Sequence, residues 1–311
     1  MKHYWAAYIV LCIGAASCTK VDNGEVTEAS LVFRYRFDST LERLNNTGQP
    51  VSLHDGNAAQ SPLFNSMATH YIELTPDAST PLGKGAVLYK APETDAGGES
   101  AIDFERSAGA ANYEVFYAVP LKDIPAGEYE WLRISLAYQN YTVQYHVDTT
   151  IIIATDTSTN SIVIDRDLTG TVASFIGYNT YLKSYLIKTR SLTVNGNRRQ
   201  GYWGFETTLS GEGFSETYTT SGQSPEGSTT VVNPIFDTSP VPAGSCVVTA
   251  AFVPGKLVIT GKETENIIVE VSLSTNKSFE WKEVVNNGKW DPLKGEPVVD
   301  MGIRGMIPTV K

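Results

Sequence analysis

Glu130-Trp131-Leu132-Arg133-Ile134-Ser135-Leu136-Ala137-Tyr138 is the stretch that decides the fold. Its apolar residues recur every second position. Leu132, Ile134, Leu136 and Tyr138 point one way, and Arg133 and Ser135 point the other. That is the period of a strand, not the 3.6-residue period of a helix. The same alternation continues on either side. In 30–37 it places Leu31, Phe33, Tyr35 and Phe37 on one face, with Val32, Arg34 and Arg36 on the other. In 267–273 it places Ile267, Val269, Val271 and Leu273 inward. The run Ile151-Ile152-Ile153 is uninterrupted, which fits a strand covered on both faces or one at an interface. Residues 39–44 are the best helical candidate, and they amount to about one turn.

Turn chemistry separates these runs. Asp123-Ile124-Pro125-Ala126-Gly127-Glu128-Tyr129 opens into the Trp131 strand. Val194-Asn195-Gly196-Asn197 carries the strongest hairpin signal, because Asn-Gly tolerates positive φ, and it is expected to link 185–194 to 200–207. Residues 155–161 and 274–278 read as two further hairpin connections, and Val253-Pro254-Gly255-Lys256 as another turn. Short strands without βαβ alternation give an all-β fold, an antiparallel β-sandwich of Ig-like or jelly-roll-like kind with long loops. Residues 209–245 are rich in Ser, Thr, Gly and Pro and read as one long loop. The body, 29–311, is expected to be a single domain carrying that loop. Two β domains split near it are the alternative.

Residues 1–17 are an address rather than a part of the fold. Met1-Lys2-His3 is a short basic start, an apolar run follows to Gly14, and Ala15-Ala16-Ser17 are small. This is the order of a secretory signal, and the run is too short to span a bilayer. Ala15-Ala16-Ser17-Cys18 resembles a bacterial lipobox, which makes Cys18 the lipidated residue and the membrane a partner through that lipid. Residues 18–28 then form a tether. Lys20 followed by Asp22 and Glu25 resembles the surface-export signal of Bacteroidota lipoproteins. Asp38-Ser39-Thr40 and Asp148-Thr149-Thr150 resemble the O-glycosylation motif of that phylum, with Ser39 and Thr149 as acceptors. The resemblance implies an outer-membrane lipoprotein of the cell envelope, surface-exposed or facing the periplasm.

Composition narrows the functions. The chain has 34 acidic and 24 basic residues, a net charge of -10. Nucleic-acid binding needs a basic footprint, so that class is excluded. With Cys12 in the signal and Cys18 lipidated, Cys246 is the only thiol of the body. It is either a buried structural residue or, given a neighbouring His, a nucleophile or soft metal ligand.

Four constellations could carry chemistry. Met67 and His70 offer a thioether and an imidazole, which copper accepts, although a spacing of three puts them on opposite faces of a strand. Glu283-Val284-Val285-Asn286-Asn287-Gly288-Lys289-Trp290-Asp291 resembles a degraded calcium loop in which Glu283, Asn287 and Asp291 supply oxygen and Gly288 the turn, with Glu296 as a further acid. An Asn-Gly turn with a Trp packed beneath it is the plainer reading. Asp165 with Asp167, and Asp103 with Glu105, would each share a strand face, as a glycoside hydrolase needs of its paired carboxyls. Tyr138, Tyr141, Tyr178, Tyr181 and Trp203 alternate with amide residues, as in surfaces that bind a glycan or a protein, and equally as in strand cores.

A family resemblance spans about 30–138. The segment Phe64-Asn65-Ser66-Met67-Ala68-Thr69-His70-Tyr71-Ile72-Glu73-Leu74 and the segment from Val119-Pro120-Leu121 through Pro125-Ala126-Gly127-Glu128-Tyr129 resemble MbnP-like proteins. These are secreted β-sandwich proteins, some of which bind copper. The expectation is a lipid-anchored envelope protein with a non-enzymatic binding or surface-structural role. A copper- or calcium-binding lipoprotein of the MbnP-like kind and a carbohydrate-active enzyme are the alternatives.

Overall fold

The computed structural model describes residues 28–45, 47–154, 159–211, 214–224 and 246–311. The signal segment, Cys18, the tether up to residue 27, residues 155–158 and residues 225–245 lie outside them. The chain is nearly all β, in packed and mostly antiparallel sheets, as the alternation predicts.

The strand Trp131–Ala154, 24 residues long, is the spine. One edge pairs with Leu63–Thr75. The other edge carries two strands in succession. Cys246–Ala251 pairs with its first part, and Thr159–Phe175 pairs with it from Tyr138 to Ala154. Tyr202–Gly211 and then Phe214–Gln223 extend this sheet. A second sheet of Met306–Val310, Ile267–Ser274, Ser30–Asp38 and Val115–Pro120 lies against it, with a parallel pair at its centre. Between the two sheets Leu31, Phe33, Tyr35, Val269, Val271 and Leu273 meet Ile72, Leu74, Leu132, Ile134 and Leu136 in the main core. A small sheet of Asn57–Gln60, Phe279–Lys282 and Val298–Met301 closes one end with the buried rings of Phe279 and Trp281.

The spine departs from simple alternation at one place. Leu132, Ile134 and Leu136 face the core as expected, but Tyr138 does not. A bulge between Leu136 and Tyr138 shifts the register. The Ala137 carbonyl there accepts the Ile176 and Gly177 N–H groups at 2.9 and 3.1 Å. Tyr138 therefore packs on the reverse face with Phe175, Leu182 and Tyr185. Core-facing positions resume at Tyr141 and Val143. The sheet of Asn179–Leu186 and Ser191–Arg199 covers that reverse face.

Several expectations are corrected. Asn195-Gly196 forms no hairpin turn and lies inside Ser191–Arg199. Asn195 has φ 48° and sits in a bulge opposite Lys183, so its tolerance of positive φ serves a register shift. The turn falls at 187–190 instead. Residues 39–44 are not helical. The Asp38 carboxylate accepts the Thr40 N–H at 2.8 Å and closes a tight turn. Residues 274–278 connect strands of different sheets. The expected loop 209–245 begins as strand, with 209–211 ending Tyr202–Gly211 and Phe214–Gln223 pairing back on it. Ile152 is 68% exposed, so the isoleucine run is not covered on both faces.

The face bearing Arg133 and Ser135 is buried too. Arg133 and Glu73 approach to 3.7 Å, both almost wholly buried, and the other Glu73 oxygen accepts the Gly83 and Gly85 N–H groups. Removing one partner of a buried charge pair strands the other. Glu73→Ala should therefore lower the unfolding free energy by about 3 kcal/mol or more in urea denaturation. A loss no larger than that of a surface substitution would show that this pair carries no such constraint.

Candidate functional site

The long hairpin runs past the end of the sandwich, and a cavity forms there. Pairing with Leu63–Thr75 stops at Thr142. Beyond it the loop carrying Trp290 takes over the free edge, and the His146 N–H donates to the Trp290 carbonyl at 2.7 Å. Tyr145, Val147 and Ile164 face inward but no longer meet the opposing sheet, and pack instead with Phe205 and Trp290. Between these groups lies a cavity of about 730 Å³. Tyr145, Val147 and Ile164 form one wall, Trp203, Phe205 and Leu209 the second, and Phe279, Trp290 and Met301 the third. Leu293, 63% exposed, and Tyr218, 47% exposed, mark its mouth. A Cβ on Gly170 would lie 2.1 Å from the Phe205 ring, so the glycine is what lets that ring lie across the strand.

Some polar groups of the walls are bonded within the protein, whereas the buried Ser224 hydroxyl on the lining has no hydrogen-bond partner among the described residues. The Tyr145 hydroxyl bonds to Thr207 Oγ1 at 2.8 Å, and Thr207 in turn donates to the Thr169 carbonyl. Trp290 Nε1 donates to the Glu296 carbonyl. Burial raises the Tyr145 hydroxyl above its ordinary range, against a smaller opposing pull from Thr207 and the Arg166 charge. The cavity thus offers aromatic and aliphatic surface, in the size range of small-molecule sites.

The loop 283–296 seats Trp290. The Glu296 carboxylate accepts the Val284, Val285 and Asp291 N–H groups. Burial alone would raise its pKa, but these donors outweigh it and hold the group below the usual carboxylate range. Asn287 donates to Asp291, and the Gly288 N–H donates to Glu283. The oxygens proposed for calcium are therefore turned to N–H donors of their own loop. The plainer reading, a turn with a Trp beneath it, describes what is seen.

The structure separates most of the other candidates. Met67 lies in the main core, whereas His70 lies on the opposite face, 4% exposed, with Nε2 2.7 Å from the Ser135 hydroxyl. Burial pushes His70 down to about 3. Among the described residues no three His, Cys, Asp or Glu side chains converge as metal ligands. His70 and Ser135 have dyad spacing but are sealed from solvent. Cys246 is buried, and burial raises its thiol. Asp165 and Asp167 do share a face, where they flank His146 at 3.3 and 2.7 Å, and Lys289 lies 2.9 Å from Asp167. That face is the reverse of the cavity. Asp103 ends a strand and Glu105 lies in the short 3-10 turn after it, so they share no strand face.

The aromatic set is likewise dispersed. Tyr138 belongs to the reverse-face cluster and Tyr141 to the main core. Tyr178 lies beside His70, and Tyr181 is half-buried opposite Asn197. Only Trp203 reaches the cavity. Ser39 is exposed in its turn, while Thr149 is half-buried on the cavity wall. Tyr145 and Val147, which build one wall of the cavity, carry no motif in the sequence. Their one signal was the alternation Tyr141, Val143, Tyr145, Val147, an apolar face running beyond its partner sheet.

Compared with protein-family models, characterised proteins and solved structures, the chain matches none.

Buried His70 stays neutral in the folded protein well below its ordinary value of 6.5, whereas the unfolded chain takes up a proton there. Between those two pKa values the unfolded state binds more protons, so stability falls as pH falls from about 6.5 towards 3. This group contributes up to about 1.4 kcal/mol per pH unit in that window. Urea melts at pH 7, 5.5 and 4.5 should show a shallower decline for His70→Asn than for the natural chain. Parallel declines would mean that His70 titrates alike in both states.

Proposed function

We propose that this protein is a lipid-anchored outer-membrane protein of the cell envelope that binds rather than transforms its ligand, and that the apolar cavity is the binding site. The cavity carries this reading. Rings and aliphatic chains from six strands and the 283–296 loop surround about 730 Å³, and the mouth leaves large apolar side chains in water. Apolar surface held open in this way gains about 25 cal/mol per Å² when a ligand covers it. The anchoring half rests on the signal-like segment before Cys18 and on the lipobox resemblance.

Two measurements test the halves separately. A neutral apolar dye, N-phenyl-1-naphthylamine, should bind one per chain with enhanced fluorescence. Leu209→Trp and Thr220→Trp, which fill the cavity from two strands, should each weaken it at least about tenfold, the equivalent of 1.4 kcal/mol. Binding unaffected by both would remove the cavity as the site. Expressed from its own signal in a Gram-negative bacterium, the chain should incorporate labelled palmitate, and Cys18→Ser should abolish the label. A labelled Cys18→Ser chain would end the anchoring proposal.

A further inference from the structure

Resting on the cavity as the binding site, we infer that its ligand is a single-chain anionic amphiphile, with the hydrocarbon inside and a carboxylate or phosphate at Arg166. Charge on the long hairpin is sorted by face. Arg166 pairs across the strands with Val147, so its side chain lies on the cavity face. Its same-face neighbours along the strand, Ile164 and Leu168, belong to the cluster with Tyr145, Phe205 and Trp290. The described acids of the hairpin lie on the reverse face and already have partners. Asp167 meets His146 and Lys289, Asp165 meets His146, and Asp148 meets Lys294 at 2.8 Å. Lys289 and Lys294 are thereby paired, and among the described residues of the hairpin Arg166 is the cation on the cavity side.

Arg166 also stands where the wall opens. The ladder between Thr159–Phe175 and Tyr202–Gly211 runs from Phe175 only as far as Gly170 opposite Thr207. Beyond it, Arg166 Nη2 reaches the Ser210 carbonyl at 2.6 Å. Among the described residues no carboxylate lies within ion-pair distance of Arg166. A guanidinium carries five N–H donors in a planar fork matched to carboxylate or phosphate. The bond to Ser210 fixes its position and uses one arm of that fork. Its charge already acts on the Tyr145 hydroxyl inside the cavity.

The size of the cavity limits the apolar part. A methylene group is about the size of a water molecule, about 30 Å³. A cavity of about 730 Å³ then holds roughly 24 such groups, enough for one acyl chain but not for a pair of long ones. The Tyr145 hydroxyl and the Trp290 indole are already bonded and most of the lining is ring or aliphatic carbon, so the interior favours a hydrocarbon chain. The single recognition charge is at the rim.

The test compares dodecanoate with dodecanol, equal in chain and different in charge, each displacing N-phenyl-1-naphthylamine from the chain beginning at Thr19, which contains every described strand. Arg166 is exposed, so solvent screens part of the interaction. The expected preference for the acid over the alcohol is about fivefold to tenfold at 50 mM salt, and smaller at 500 mM. Arg166→Gln should bring the acid-to-alcohol ratio to about one, and Arg166→Lys should keep part of it. Dodecyl phosphate should follow the acid, and dodecyltrimethylammonium should bind more weakly than the alcohol. Displacement by dodecanol with no preference for the acid would overturn this inference and leave the cavity as a neutral apolar site. A preference that survives Arg166→Gln would overturn the role of Arg166. Failure of the dye and of both ligands to bind would overturn the cavity reading itself.

Discussion

The slip in pairing at Ala137 governs everything beyond it. Before the bulge, the even-numbered positions Leu132, Ile134 and Leu136 face the sandwich core. After it, the odd-numbered Tyr141 and Val143 face that core, and Tyr145 and Val147 continue the same face of the strand into the cavity. A strand without the bulge would turn Tyr145 and Val147 to the reverse face and bring His146 and Asp148 inward, because one residue of slip exchanges the two faces. The carbonyl freed at Ala137 does not go unpaired. It takes two N–H groups from the turn after Phe175, which also locks the returning strand of the hairpin in register. One local irregularity thus lets a single strand serve the sandwich with its first half and the cavity with its second.

Buried glutamates solve a recurring problem in the connections. A loop drawn against a sheet loses water from backbone N–H groups that no ladder satisfies. Glu73 takes those of Gly83 and Gly85, Glu206 those of Lys188, Thr189 and Arg190, and Glu296 those of Val284, Val285 and Asp291. A fourth, Glu280, instead gathers Arg43, Arg304 and Asn57 where the small sheet meets the core. Buried charge of this kind is weak support for stability in itself, since desolvation offsets much of the attraction. What it supplies is a fixed position for each loop. In the case of Glu296 that position carries Trp290, and with it a wall of the cavity.

The strands were legible because burial on one face writes itself into alternate residues, as at Leu31, Phe33 and Tyr35 or at Val269, Val271 and Leu273. Face is all that such a pattern reports. It cannot tell that the face bearing Arg133 and Ser135 is covered as well, or that Tyr138 and Tyr141 part company at a bulge. Asn195-Gly196 misled for a related reason: the positive φ that suits a hairpin turn also suits a bulge, and the sequence does not distinguish them. The Trp beneath the Asn287-Gly288 turn was legible, since turn and ring are adjacent in the chain. The cavity was not. Its walls come from positions as far apart as Tyr145, Phe205 and Trp290, and only the pairing order of the sheet brings them together.

The contrast between the two arginines of the spine hairpin bears on what the cavity can be for. Arg133 is buried and meets Glu73, a pair whose attraction is spent within the fold. Arg166 sits at an exposed rim, where its hydration costs the fold little and its donors stay available. A charge in that position adds modest affinity, because water screens it, but it changes which ligands bind and in which orientation. The apolar walls supply most of the free energy and are indifferent to the head of the ligand. The rim supplies little and sets the choice. With the described carboxylates of the hairpin, Asp148, Asp165 and Asp167, on its reverse face, none of these fills the rim at Arg166, and its guanidinium stays available to a ligand.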